Sequence, residues 1–271
     1  ATYDSTNSKV VIAYRDNGNS NYGTAIVGTV SGTSISFGSE VTFESQTIGD
    51  IGMTYDSANG KVVVAYKNSG SSGQGMARVG TVSGTSISFG SSTTFETGEI
   101  VSKPGVVYDS SNGKIVIAYV DAGNTNTGTS VVGTVSGTSI SFGTPVVFES
   151  NGQSDSPTAT FDSTNNKVVI AYGHGNNGTA RVGTVSGNSI SFGAAVVFRS
   201  TFSGQTGMVY DPDTGKVAIF YQISGGAEFI VGTVSGTSIS FGSEVSFHSS
   251  TTSYNSPVYD TANNKIVNSY Q

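Results

Sequence analysis

One twelve-residue phrase recurs along the chain at a nearly constant spacing. It reads Val-Gly-Thr-Val-Ser-Gly-Thr-Ser-Ile-Ser-Phe-Gly from Val27 to Gly38. Close copies begin 49 to 53 residues apart, at Val79, Val132, Val182 and Val231. A repeat of this length indicates one supersecondary unit built several times, in which each copy buries its apolar face against the next. Residues 1–271 are therefore predicted to form a single domain of repeats of about 50 residues.

One repeat reads as four short strands. Alternating side chains predict strands at Met53–Asp56, at Lys61–Tyr66, from Met76 to about Val82, and from Ile87 onwards. The Asn-Gly and Ser-Gly pairs between them are typical of tight hairpin turns. The second strand is apolar on both faces, so we expect it to be buried on both sides. Gly90 interrupts the fourth strand, which predicts a bulge or a close approach of another backbone.

Four antiparallel strands per unit, repeated in tandem and apolar on both faces, indicate an all-β fold, a β-propeller of four-stranded blades. The first two strands occur six times and the last two occur five times. The preferred interpretation is a six-bladed propeller with an incomplete last blade. The alternative is a five-bladed propeller with a spare terminal hairpin. Asn268 occupies a position that is Ile or Val in the other units, which favours an exposed edge strand there.

Composition removes several classes of function. The net charge is −6 and the 12 Lys and Arg residues are scattered, so a nucleic-acid partner is not expected. No stretch approaches the length of a membrane span, and membrane insertion is not expected either. The chain has no Cys, and its two His residues, His174 and His248, lie in different repeats. A catalytic triad, a metal site or another cofactor is therefore not predicted.

Catalytic residues are not predicted in the remaining sequence. A sialidase needs an arginine triad, whereas Arg78 and Arg181 occupy equivalent positions in the third strand, which favours a structural role. A glycosidase needs a pair of carboxylates at a set spacing. Asp50, Asp155 and Glu228 lie on the suitable side of the predicted fold, but no spacing singles out a pair. The chain is therefore predicted not to be an enzyme.

The connections of the predicted propeller fall on two unequal faces. The turns from first to second strand and from third to fourth strand are nearly identical in every repeat, whereas the other connections all differ. Binding sites are usually placed on such variable loops of a rigid scaffold. The candidate ligand-binding residues are the polar and aromatic residues of this variable face: Tyr22, Asp50, Lys103, Asp155, His174, Phe202, Glu228 and Tyr254.

Two recurring patterns are predicted to be structural. Each of the six Asp residues that open the first turn, such as Asp56, is followed five places later by Lys. We expect the Asp to bond backbone N–H groups of the turn and the Lys to reach that Asp across the hairpin. The residue after the last Phe of each fourth strand is typical of a solvated edge: Glu44, Glu96, Glu149, Arg199 and His248.

The near-identical repeats and short glycine turns resemble lectin-type β-propellers of the tachylectin-2 kind, and the repeat propellers of bacterial surface and phage-tail adhesins. The resemblance covers the architecture and period of the whole chain. It implies shallow binding sites that recur between or within blades, with avidity from multivalency. The function it favours is a non-enzymatic, lectin-like adhesin that binds glycans or another cell-surface partner, outside a cell or on a virion.

Two other hypotheses remain open. One is a structural or protein–protein interaction platform without a small ligand. The other, which ranks below both, is a glycoside hydrolase or a sialidase. Glycan binding that free sugar competes away would separate the lectin hypothesis from the platform hypothesis.

Overall fold

The structure is a computed structural model that describes residues 1–150, 154–202, 204 and 206–271. These residues form 25 β-strands and two short 3-10 turns, Ser69–Ser71 and Ala122–Asn124, with no α-helix among them. Strands account for 69% of the described residues. The all-β prediction is confirmed. No helix in the described ranges has the length and apolar character needed to cross a membrane.

The described strands group into five similar antiparallel sets, here called blades 1 to 5, and one terminal hairpin. Blade 1 contains β1 (Thr2–Asp4), β2 (Lys9–Asp16), β3 (Tyr22–Ser31), β4 (Ser34–Phe37) and the start of β5 (Val41–Asp56). Blade 2 contains the end of β5, β6 (Lys61–Asn68), β7 (Gln74–Ser83), β8 (Ser86–Phe89) and the start of β9 (Thr93–Asp109). Blade 3 contains the end of β9, β10 (Lys114–Asp121), β11 (Thr127–Ser136), β12 (Ser139–Phe142) and β13 (Val146–Glu149).

The later blades repeat this plan. Blade 4 contains β14 (Ser154–Asp162), β15 (Lys167–His174), β16 (Asn177–Ser186), β17 (Ser189–Phe192) and β18 (Val196–Arg199). Blade 5 contains β19 (Thr206–Asp211), β20 (Lys216–Ile223), β21 (Gly226–Ser235), β22 (Ser238–Phe241) and β23 (Val245–His248). The terminal hairpin consists of β24 (Ser256–Asp260) and β25 (Lys265–Ser269).

Each blade pairs its strands antiparallel in chain order, as predicted. In blade 2, β6 lies between β5 and β7, and both β8 and the start of β9 pair with β7. One prediction is wrong for the first two blade junctions. Variable loops were expected there, but β5 and β9 run unbroken for 16 and 17 residues, from the outer edge of one blade to the inner edge of the next.

The apolar core lies in the seams between successive blades. The second strand is buried on both faces in blades 2 to 5, and Val62, Val63, Val64, Ala65 and Tyr66 of β6 are all fully buried, whereas in β2 of blade 1 only Val11 is buried. One apolar cluster joins blades 1 and 2, and similar clusters join blades 2 and 3, 3 and 4, and 4 and 5. A smaller cluster joins blade 5 to the terminal hairpin. Each blade is therefore stabilised mainly by its neighbours, as a repeat architecture requires.

Glycine in the recurring phrase permits close packing between blades. A Cβ atom on Gly90 would lie 1.9 Å from the carbonyl oxygen of Thr138, in the turn of the next blade. The predicted close backbone approach is confirmed. The turn that follows the third strand also agrees with its sequence, since Gly84 has φ +60° while Thr85 keeps a negative φ, as a type II′ hairpin requires.

The Asp residues that open the first turn organise it, and they are buried in blades 1 to 4 and half-buried in blade 5 and in the terminal hairpin. Asp56 Oδ1 accepts hydrogen bonds from the backbone N–H groups of Ala58 and Asn59, both at 3.1 Å, and its Oδ2 accepts one from Asn59 Nδ2 at 2.8 Å. The predicted turn role is confirmed. The expectation that Lys reaches this Asp is wrong, because Lys61 Nζ instead donates to Thr81 Oγ1 at 2.8 Å in the third strand.

The first strands of the blades stand side by side around a common space. β5 lies beside β9, β9 beside β14, β14 beside β19, and β19 beside β24. All five border a single cavity. The terminal hairpin therefore continues the inner row of strands, and β25 pairs with β24 alone. Asn268 of β25 is half-buried there, and its Nδ2 donates to Asn255 Oδ1 at 2.9 Å.

Candidate functional site at the mouth of the central cavity

The inner strands enclose a cavity of about 590 Å³. Its wall is formed where β5, β9, β14 and β19 begin their inner course, and by the segment that leads into β24. Four wall residues occupy equivalent positions, five residues before the aromatic residue of each inner strand: Asp50, Lys103, Ser156 and Tyr254. At one level the cavity thus gathers a different side chain from each of blades 2, 3 and 4 and from the terminal hairpin.

Irregular backbone at the entry of the inner strands turns these side chains toward the cavity. In β14 the pairing register shifts between Asp155 and Thr158, and similar shifts occur in β5 and β9. Ser102, Ser156 and Tyr254 have positive φ angles of 63°, 43° and 58°. A bulge redirects the side chain beside it, and non-glycine residues in the left-handed region are enriched at functional sites.

Opposite charges meet at this level of the cavity. Lys103 is reachable by solvent through the cavity, yet the surrounding protein desolvates its ammonium group and lowers the pKa of Lys103, while the attraction of Asp50 opposes that shift. A second cavity of about 450 Å³ shares Asp50 and Lys103 with the first and is also lined by Arg15 and Asn17. Charged hydrogen-bond donors and acceptors therefore line both cavities.

Polar groups without partners line the same wall. Ser102 Oγ and Asn255 Nδ2 are buried and have no hydrogen-bond partner among the described residues. Buried polar groups are normally satisfied, so such atoms in a cavity wall indicate a place for a polar ligand or water. Tyr254 stands beside them and is 68% exposed, which presents an aromatic face to anything that enters.

The structure brings together three of the eight sequence-predicted site residues, namely Asp50, Lys103 and Tyr254. Tyr22 is half-buried at the start of β3, opposite Asp16 and Thr47, and does not line either cavity. Asp155 is exposed one residue before the wall position and accepts a hydrogen bond from Ser156 Oγ at 2.8 Å.

The other three predicted residues lie in the seams between blades. His174 is half-buried, and its Nδ1 lies 3.1 Å from Glu149 Oε2. Glu228 accepts from Tyr221 Oη at 3.3 Å and pairs with Arg199 at 3.1 Å.

Phe202 occupies the apolar seam between blades 4 and 5. It is only 9% exposed, and its ring packs against Phe198 and Tyr221 at centroid distances of 6.1 and 6.4 Å. The variable connections therefore supply core side chains as well as candidate ligand-binding ones.

Sequence reasoning missed a polar network in these seams. The carboxylates of Glu44 and Glu149 were expected at a solvated edge, but both are buried. Each accepts a hydrogen bond from the last Tyr of the second strand in the next blade, Tyr66 at 2.8 Å and Tyr172 at 3.1 Å. The signal was present in the sequence, because a Tyr and a Glu recur at fixed places in successive repeats.

The two equivalent arginines complete this network. Arg78 Nη2 lies 3.5 Å from Glu44, and Arg78 Nη1 donates to the carbonyl oxygen of Gly90 at 3.1 Å. Arg181 Nη1 donates in the same way to the Gly193 carbonyl oxygen at 3.3 Å. Burial, partly offset by Arg181, raises the pKa of Tyr172 to about 12. Within the described ranges, no three His, Cys, Asp or Glu side chains are grouped so that they could hold a metal ion.

Comparison with known proteins identifies the architecture and no family. Neither a protein-family profile nor a curated sequence matches the chain. Among solved structures, AofleA from Arthrobotrys oligospora is similar with a TM-score of 0.59 at 7% identity, over 99% of this chain and 81% of that one. A variant of AofleA with three arginines replaced by alanine gives a TM-score of 0.61 at 8% identity, over 99% and 82%.

A second neighbour has the same kind of fold. Sqt1 from Chaetomium thermophilum gives a TM-score of 0.57 at 11% identity, over 94% of this chain and 62% of that one. AofleA and Sqt1 are both β-propellers. Likeness at such low identity concerns the fold alone, and the narrower resemblance to tachylectin-2 and to phage adhesins stays a prediction. The chain is thus similar in fold to β-propellers.

Proposed function

We propose that this chain is a non-enzymatic binding module for carbohydrate, with its site at the mouth of the central cavity. The observation that carries the proposal is the convergence of Asp50, Lys103 and Tyr254 on one wall, beside Ser102 and Asn255 whose polar atoms lack partners. Binding sites for small molecules are usually concave and few per protein. They combine apolar or aromatic surface with a small number of precisely placed polar groups.

A sugar suits this combination of groups. Its C–H face packs on an aromatic ring, and the 68% exposed Tyr254 supplies one. Its hydroxyl groups both donate and accept, so they can donate to the carboxylate of Asp50 and accept from the ammonium group of Lys103. The hydroxyl groups of Ser102 and Ser156 in the same wall extend this pattern.

The arrangement of carboxylates supports binding without hydrolysis. Of Asp50, Asp155 and Glu228, Asp50 lines the cavity, whereas Glu228 is held in a seam by Arg199 and Tyr221. Asp155 bonds Ser156 and is not part of the wall. Hydrolysis of a glycosidic bond ordinarily needs two carboxyl groups that flank the same bond.

We assign the architecture to a six-bladed propeller whose last blade contains only its two inner strands. β24 packs beside β19 as each earlier inner strand packs beside its predecessor, and residues leading into it line the common cavity. A lectin-like role of this kind would place the chain outside a cell or on a virion. A protein-interaction platform is the second candidate, favoured by exposed apolar side chains of blade 1, namely Val30, Ile35 and Phe37.

The carbohydrate proposal is tested on a glycan array with competition by the free sugar. Tyr254→Ala and Asp50→Asn are each expected to weaken binding about tenfold or more, since each removes a contact worth at least 1.4 kcal/mol on that scale. Tyr3→Ala is the matched control, because Tyr3 is 55% exposed and does not line the cavity. Glycan binding that survives both site variants, or no binding to any glycan, would contradict the proposal.

A further inference from the structure

Blade 1 exposes apolar side chains whose equivalents in later blades are buried. Val30 and Ile35 are 56% and 43% exposed, whereas Val82 and Ile87 at the same positions of blade 2 are 5% and 3% exposed. The difference arises because Val82 and Ile87 pack into the seam with blade 1, in the same cluster as Phe43. Blade 1 therefore presents one half of a seam without the other half.

Blade 5 presents the opposite half. A Cβ atom on Gly193 of blade 4 would lie 1.9 Å from the carbonyl oxygen of Thr237 in blade 5. At Gly242 of blade 5 the nearest atom to such a Cβ is 3.8 Å away, and it belongs to Val231 of the same blade. Val231 is itself 38% exposed, whereas the equivalent Val182 is fully buried. The outer strands of blade 5 thus lack the neighbour that every earlier blade has.

The same trio of aromatic rings recurs in the four seams between successive blades, and two further trios are incomplete. In the first seam the ring of Phe43 lies 5.3 Å from Tyr66 and 5.4 Å from Phe89, and the next three seams repeat this trio. Phe247 contacts Tyr270 at 5.5 Å, but the third ring of that trio is missing. In blade 1, among the described residues, neither Tyr14 nor the 48% exposed Phe37 has a ring contact.

The terminal hairpin packs beside the first strand of blade 5 and offers an unpaired backbone edge. β25 pairs with β24 alone, whereas the second strand of each blade also pairs with a third strand. An unpaired edge presents a row of backbone N–H and C=O groups that another strand can complete. Val258 and Val267 on this hairpin are 57% and 53% exposed. Among the described residues, no third and fourth strands continue this hairpin.

We propose that this open seam binds a β-hairpin in trans, supplied by a partner polypeptide that carries the apolar pattern of the chain's own outer strands. Four such hairpins, in blades 2 to 5, already fill equivalent seams within the chain, and they define the occupant: Val and Ile on one face, a glycine at each close approach, and two Phe residues. The incoming hairpin adds to β25 as a strand adds to a sheet edge. Its two Phe rings complete the sets at Phe247 and at Phe37.

The proposal rests on the six-bladed arrangement and is independent of carbohydrate binding. It is tested with a fluorescent peptide that spans Gln74–Glu96, which contains β7, β8 and the start of β9. We expect saturable binding by anisotropy, together with slower hydrogen exchange at the backbone amides of Lys265–Ser269. Glycan binding is measured in parallel, so that failure of one proposal is distinguishable from failure of the other.

Gly242→Val separates specific docking from general stickiness. The open space at Gly242 accommodates the new side chain in the free chain, but a docked hairpin would bring a carbonyl oxygen against it, as Thr237 lies against Gly193. We expect this variant to keep its thermal unfolding midpoint and to weaken peptide binding about tenfold or more. Val147→Thr and Val197→Thr are matched controls, since these exposed valines lie on the outer strands of blades 3 and 4.

A second measurement covers the event that the free peptide does not fold. The same hairpin is joined after Gln271 through a short glycine-serine linker, and we expect a higher thermal unfolding midpoint that Gly242→Val abolishes. Absence of both peptide binding and this rise would overturn the proposal. Binding that Gly242→Val leaves unchanged would also overturn it, as would sedimentation that shows dimers of the chain held through this seam.

Discussion

Tyr66 and Glu44 lie on different blades and share a buried hydrogen bond of 2.8 Å. Burial raises the pKa of Tyr66 well above its ordinary value, with a further contribution from Glu44 and opposition from Arg78. The phenol therefore stays protonated and donates to the carboxylate. This hydrogen bond joins blades 1 and 2 next to the apolar cluster that contains Phe43.

Loss of the Tyr66 hydroxyl group is expected to destabilise the seam. Tyr66→Phe leaves the buried Glu44 carboxylate without one donor, which should lower the free energy of unfolding by about 1–3 kcal/mol. Tyr14→Phe is the control, because its partner Glu40 is exposed. Urea titration checks the pair, and equal midpoints for the two variants would contradict a role for the buried bond.

Addition of a methyl group at Gly90 is expected to disrupt the packing of blades 2 and 3. In Gly90→Ala the new Cβ would lie 1.9 Å from the Thr138 carbonyl oxygen, so the backbone must move. Overpacking of this kind costs about 1–3 kcal/mol or more. The same change at Gly242, which faces open space, should stay within about 0.5 kcal/mol. Calorimetry of both variants measures the change in stability. An unchanged stability of Gly90→Ala would mean that blades 2 and 3 do not pack as closely as the Gly90–Thr138 contact requires.

Phe142 and Phe37 occupy equivalent repeat positions but are expected to contribute differently to the stability of the fold. The ring of Phe142 lies 5.8 Å from Phe95 of the preceding blade, so Phe142→Ala should cost about 3 kcal/mol, the lower end for such truncations. Phe37 is 48% exposed, and Phe37→Ala should change stability by less than about 1 kcal/mol. Guanidinium titration measures both, and similar losses would show that the first blade is covered in solution.

The acidic turn at Asp4 is expected to make stability depend on pH. Burial raises the pKa of Asp4, but hydrogen bonds from Asn7, Tyr55 and Thr6 outweigh it, and the net pKa is below 3.8. Its contribution is therefore present above about pH 3.8 and lost as the pH falls through the folded-state pKa. Asp4→Ala should cost about 0.5–2 kcal/mol at pH 7, by analogy with capping residues.

The difference between wild type and Asp4→Ala should shrink as the pH falls through the folded-state pKa of Asp4, because below that pKa the carboxyl group is protonated in both states of the wild type. Urea titrations at several pH values measure it. Asp50→Ala is the control, since Asp50 is exposed and bonds no turn, and little change in stability is expected. A difference that persisted unchanged at low pH would show that the charge of Asp4 is unimportant to the turn.

The sequence was sufficient for features that depend on residues close together along the chain. The strand alternation, the Gly84 turn and the bonds within the Asp56 turn all act within a few residues, so local chemistry determines them. The close approach at Gly90 could also be predicted, because a glycine inside a strand usually marks a bulge or a contact with another backbone. The target of Lys61 could not, since Thr81 lies in the third strand at a depth that only the assembled blade defines.

The candidate site was predictable in part for a related reason. Asp50, Lys103 and Tyr254 were predicted because they are charged or aromatic residues of the variable connections, and they also stand at equivalent repeat positions. Ser156 stands at the same position but was missed, because its neighbour Asp155 was chosen for its charge and residue type alone does not show which of the two side chains lines the cavity. The burial of Glu44 was missed because its donor, Tyr66, belongs to the following repeat, so that only a comparison between successive repeats, and no pattern near Glu44, indicates the pair.

The unbroken strands β5 and β9 carry a mechanical consequence. Because each belongs to two blades, the first three blades form one hydrogen-bonded sheet of 13 strands, while blades 4 and 5 and the terminal hairpin are separate sheets of five, five and two strands. Backbone rigidity is therefore graded along the chain. The amino-terminal half should open as one cooperative unit, and local opening should begin at the carboxyl-terminal end, where side-chain contacts rather than ladders of backbone hydrogen bonds join one sheet to the next.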